Sequence, residues 1–188
     1  MGSPPARPAA MMKGMETAPV PPISTMGAIV TVERVLARTP ALAVLLPMIQ
    51  AFDTGCLLNI DVVARNAAAP RGLALQLDSA FSGEESTSLH ITLRYPDGVE
   101  VASDTDHHCA PPSLSWFPGG VRGDAAYTLY QTPLWLHPLP PPEDFVLTME
   151  WPWAGIGLET VRLDGAAIAG AAARSKHCWP SWGPSEVQ

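Results

Sequence analysis

Most of the short signatures of reaction chemistry are missing from this chain. It has no GxSxG elbow, no HExxH, no P-loop and no GxGxxG. Those absences remove the common routes to a serine nucleophile, a zinc hydrolase and a bound nucleotide. Cysteine is scarce as well. Cys56, Cys109 and Cys178 are far apart, odd in number and form no CxxC pair. Neither a disulfide framework nor a structural zinc site is expected from them, and reduced thiols in a cytoplasm fit better. No cofactor is expected.

Positive charge is sparse. Eleven Lys+Arg, scattered singly, stand against 18 Asp+Glu, giving a formal net charge of −7. Binding nucleic acid by counterion release needs a basic patch, so no nucleic-acid partner is expected. Long apolar runs are missing too. The longest, Ala41 to Phe52, spans about 12 residues against the roughly 20 that cross a bilayer, and Pro47 interrupts it. No membrane partner is expected, and no apolar leader stands at the N-terminus.

What is abundant is proline, at 21 residues, beside an apolar fraction of 47% and a charged fraction of only 15%. Short strands joined by many turns fit that mixture. The first 27 residues are rich in Pro, Ala and Met without periodicity and read as a flexible arm. From Ile29 the character changes. Two apolar runs flank Asp53-Thr54-Gly55, a tight-turn signal. After it Leu58, Ile60, Val62 and Ala64 alternate with Asn59, Asp61, Val63 and Arg65, a period of two that sends one face to a core and the other towards water.

The stretch "LHITLRYPDGVEVAS" is the clearest hairpin. Leu89, Ile91, Leu93 and Tyr95 share a face, Pro96-Asp97-Gly98 forms the turn, and Val99 and Val101 are expected to continue the buried face. Residues 103–124 show no strand pattern and read as a long loop. Two further strands flank "HPLPPPED", and Phe145, Leu147, Met149 and Trp151 share a face. "GLETVRL" is another strand, after which Asp164 can cap a short alanine-rich helix.

Seven or eight strands follow, with no βαβ rhythm. The expected fold is all-β: an antiparallel β-sandwich, Ig-like or jelly-roll-like, with one short C-terminal helix and a flexible N-terminal arm. A closed barrel is the alternative. The boundaries are an arm at 1–27, the domain at 28–175 and a tail at 176–188.

Several short runs invite chemistry. Asp106-His107-His108-Cys109 resembles the tetrapeptide of protein S-acyltransferases, but the resemblance covers four residues. That family sets its motif in a cysteine-rich zinc-binding loop between membrane helices, and this chain has neither. His107, His108 and Cys109 are still metal-ligand and nucleophile types, although neighbours in an extended chain point apart. Arg122-Gly123-Asp124 spells an integrin-binding tripeptide and reads as a turn before a strand. Trp151 and Trp153, two apart, would share a strand face. With Trp116 they are either core or an aromatic surface.

The function these features favour is a non-catalytic structural domain that binds other protein subunits, as a homo-oligomer or within a larger assembly. The alternatives are a carbohydrate-binding module using Trp151, Trp153 and Trp116, or a metal- or thiol-dependent enzyme centred on residues 103–124 with His107, His108 and Cys109.

Overall fold

Alternation along the chain becomes pleating in space. The computed structural model describes residues 20–74, 77, 89–104 and 111–179. In β4 (Cys56–Arg65), Cys56, Leu58, Ile60, Val62 and Ala64 are buried and every intervening residue is only partly covered. The same period sets β5 (His90–Arg94) and β10 (Phe145–Trp151), where Ile91, Leu93, Phe145, Leu147, Met149 and Trp151 face inward.

The other strands are β1 (Thr25–Met26), β2 (Ala28–Arg38), β3 (Leu42–Ala51), β6 (Glu100–Asp104), β7 (Ser113–Trp116), β8 (Val121–Gly123), β9 (Tyr127–His137), β11 (Ile156–Leu163) and β12 (Lys176–His177). The one helix with described ends is α1 (Gly165–Ala172). The chain is mostly β, as expected.

One sheet carries nearly all of it, in the order β11-β10-β5-β6-β7-β9-β4-β3-β2, with β8 also on β9. All neighbours are antiparallel except β6 and β7, which run parallel over two residue pairs. The sheet curls until its end strands, β11 and β2, lie against each other. It is nearly closed, and its inner face is filled with Leu, Ile, Val, Phe and Trp side chains. Helix α1 packs on β2 and β3 and adds Ile168, Ala171 and Ala172 to the core. Its first turn is capped as the sequence suggests: the Asp164 carboxylate accepts from the Ala167 N–H at 2.8 Å. Among the described residues no helix is long and apolar enough to cross a membrane.

The structure corrects four expectations. Residues 103–124 are not a plain loop. They hold β7 and β8, which share one edge of β9 and are separated by Phe117–Gly120. Pro133 of β9 sits opposite that interruption. In an antiparallel strand a residue's N–H and C=O point to the same neighbour, so the missing N–H falls where no ladder bond is lost. The Pro133 carbonyl still accepts from Phe117 at 2.8 Å.

Val99 is exposed, because it closes the Pro96–Gly98 turn with its carbonyl on the Tyr95 N–H, and only Val101 reaches the core. Trp153 does not extend the strand of Trp151; the chain enters a 3₁₀ turn at Pro152–Ala154. Finally, the described end of the arm pairs with the described start of the tail. Thr25 pairs with His177 and Met26 with Lys176, and the Cys178 N–H donates to Ser24. Two-residue strands set by distant partners leave no periodicity to read.

Close backbone approach explains one glycine. A Cβ on Gly119 would lie 1.5 Å from the Gln131 carbonyl oxygen, whereas one on Gly157 would meet nothing within 4 Å. Gly119→Ala should therefore cost at least about 2 kcal/mol, and Gly157→Ala no more than about 0.5 kcal/mol. Thermal unfolding of the two variants checks this; equal midpoints would refute the packing described.

Candidate functional site

The described reactive groups are dispersed. Asp106, His107, His108 and Cys109 lie outside the described residues. Among the described residues, no three His, Cys, Asp or Glu side chains come close enough to hold a metal ion. Cys56 is fully enclosed, and burial pushes its thiol from 9.0 up to about 12. Among the described residues the exposed thiol is Cys178, beside the β1–β12 ribbon. Burial also raises the Tyr95 hydroxyl, with Cys56 and Asp97 adding to the shift.

The tryptophans are mainly structural. Trp151 and Trp116 are buried in the core, so neither presents a ring face to a ligand outside. Trp153 is half-buried and stacks on Trp151 with ring centroids 5.9 Å apart. Trp135, which the sequence did not mark, is buried on the opposite side of the sheet. Phe52 meets it edge-on at 5.7 Å and His137 stacks on it at 6.5 Å. The His137 ring is fixed by the Thr54 carbonyl at 3.0 Å, which only accepts, so Nδ1 carries the proton. Among the described residues the Trp135 indole N–H has no partner.

The Arg122-Gly123-Asp124 tripeptide closes the β8–β9 hairpin. The Asp124 carboxylate accepts from the Ala126 and Tyr127 N–H groups at 2.7 and 2.8 Å, and these bonds hold it below the usual carboxylate range. Asn66 braces the same turn from β4's end, donating to the Asp124 carbonyl and accepting from the Thr128 hydroxyl. The carboxylate is committed to the turn.

What the fold does assemble is a surface. Residues of β2, β3, β4 and β9 that point away from the core form rows across the strands. Ile29, Gln50, Leu57 and Trp135 make one; Thr31, Met48, Asn59 and Pro133 the next. Val35, Leu45, Asp61 and Gln131 follow, then Arg38, Ala43, Val63 and Leu129, with Arg122 of β8 beyond. Ile29, Val35 and Met48 are exposed at 48%, 41% and 38% of their surface, and Leu45, Leu57, Val63 and Leu129 are half-covered.

Asp61 stands amid these apolar groups. Burial pushes its carboxyl up, the Arg122 charge opposes that, and no described side chain pairs with it. The outer face of the other half is ordinary by comparison. There Thr92, Thr148 and Thr160 alternate with the Arg94–Glu100 ion pair at 2.6 Å and the Arg162–Asp144 contact at 3.8 Å. Sequence reading missed the apolar face, although the near-continuous apolar character of "LAVLLPMI" in β3 was a usable signal.

No protein-family profile matches the chain, and no characterised protein or solved structure matches it significantly.

Two outcomes follow from these environments. At pH 8 a thiol reagent should label Cys178 within minutes and leave Cys56 untouched until the chain unfolds, as peptide mass spectrometry would show; prompt labelling of Cys56 would contradict its enclosure. The folded chain holds the Cys56 proton more tightly than the unfolded one. That contribution is complete below about pH 9 and is lost as the pH climbs towards 12. Cys56→Ala should therefore flatten the alkaline fall in thermal midpoint. Asp124 has the opposite sign: its contribution is complete above the unfolded carboxylate value and lost as the pH drops. Asp124→Ala should lower the midpoint by a few degrees at neutral pH and little in acid.

Proposed function

We propose that this chain is a non-catalytic domain that works by binding protein, and that the outer face of β2–β3–β4–β9 is where it does so. The observation that carries this reading is the composition of that face. Aliphatic and methionine side chains, flanked by Arg38 and Arg122, point outward from a layer whose inner face is already core. Single exposed apolar residues such as Leu158 are ordinary on any protein. A contiguous set on one sheet face, with arginine at its rim, is the composition of a protein interface. The dispersal of the described titratable groups and the inert Cys56 thiol support a role outside catalysis.

The sheet divides most naturally into two layers, β11-β10-β5-β6 and β7-β9-β4-β3-β2. The parallel β6–β7 contact that joins them is two residue pairs long. No ladder closes β11 onto β2 among the described residues, which favours a sandwich over a barrel.

Methionine oxidation tests the function. Met48 lies on the face, Met26 lies off it and is exposed at 59%, and Met149 is buried. In an extract of the native source, at natural abundance, Met48 should oxidise severalfold more slowly than in the dilute purified chain, with Met26 less affected. Equal Met48 rates in the two settings would overturn the reading.

A further inference from the structure

We propose that the occupant of the β2–β3–β4–β9 face is a second copy of this chain, packed face to face about a two-fold axis. This rests on the reading of that face as a protein-binding surface and adds the partner.

The first support is charge. A two-fold contact must be complementary to itself, since each residue meets the image of another residue on the same patch. Asp61 lies on β4 and Arg38 on β2, with β3 between them, in adjacent rows. An axis lying in the interface and running close to β3, over Ala43 and Leu45, lays β4 of one copy over β2 of the other. Each Asp61 then lies one row, about 7 Å along the strand, from the Arg38 of the second copy, within the reach of an arginine side chain, and the arrangement forms both pairs at once. Neither residue has an ion-pair partner within its own chain among the described residues.

The second support is patterning. Strands covered on one face alternate, and strands covered on both faces read as nearly continuous apolar runs. β3 reads LAVLLPMIQA, with Gln50 its one polar residue, while β5 and β10 keep mostly polar groups outward. β3, over which the axis runs, is the strand it would bury most deeply.

The third is size. β2, β3 and β4 overlap their counterparts; three strands at about 4.8 Å spacing and ten residues at about 3.3 Å give a contact near 480 Å² in projection. That is below the ~800 Å² each partner gives to a standard interface and fits a weak dimer that fills only at the upper concentrations. Two sheets of the same twist stack readily at about 30°, with side chains interdigitating about 10 Å apart.

The test is sedimentation equilibrium of the full chain from 1 to 200 μM in about 0.15 M salt, with two charge reversals. The wild-type chain should be dimeric at the upper concentrations. Asp61→Arg and Arg38→Asp alone should each weaken association at least tenfold, because each sets like charges opposite one another. An equimolar mixture of the two variants should recover the dimer, since each copy then supplies the charge the other needs. Recovery also shows that both variants are folded, and circular dichroism confirms it.

A wild-type chain that stays monomeric to 200 μM, or a mixture no tighter than its components, would overturn the second copy as occupant. If Met48 is nevertheless shielded in extract, the protein-binding reading stands with another partner. If it is not shielded, both fall.

Discussion

The ladder between β4 and β9 is the constraint from which the rest of the architecture hangs. Ten residue pairs join Cys56–Arg65 to Tyr127–His137, strands separated by more than sixty residues of chain. β2, β3 and β4 follow one another as hairpins and close cheaply. β5 with β6, and β10 with β11, are hairpins also. Only when β9 docks on β4 do these local units become one sheet. The entropy of closing that long loop must be offset by what the contact buries. Leu58, Ile60 and Val62 meet Leu134, Leu136 and Thr132 across the ladder or diagonally, and the one polar group, the Thr132 hydroxyl, donates to the Ile60 carbonyl at 2.9 Å. No buried charge interrupts this centre.

That arrangement also explains why chemistry is thin on the inside. A sheet curled almost onto itself and filled with aliphatic and aromatic groups leaves Cys56 protonated and the Tyr95 hydroxyl hard to ionise. The polar and open groups lie outward, on faces and turns. Of these, the turn at Asp124 is spent on its own hairpin, and the threonine-rich half is a solvated surface. The apolar outer layer is what remains without an evident structural duty.

The sequence announced the strands whose two faces differ. β4, β5 and β10 could be read residue by residue, because inward Leu, Ile, Phe and Met alternate with polar groups. β7 and β8 could not be read. They are four and three residues long, interrupted by Pro118, Gly119 and Gly120, and held in place by β9. The candidate surface was legible only in part. Asp61 and Val63 were rightly placed on the side away from the core, but their neighbours Met48 and Arg38 come from strands whose register is set by bulges. β3 shifts register between Leu45 and Met48, and β2 shifts twice, with Glu33 at a φ of 53°. No sequence period survives such shifts. Trp135 was hidden for a related reason. It follows the outward parity of β9 yet is buried, because Phe52 folds over it from the β3–β4 turn.

The small β1–β12 ribbon has a mechanical consequence. It fastens the two ends of the described chain to one corner with two residue pairs and a bond from Cys178 to Ser24. Tension applied through flanking sequence would meet this ribbon first and open it like a zip, one pair at a time. The load would reach β2 and α1 only afterwards, so the ribbon acts as a fuse that spares the sheet.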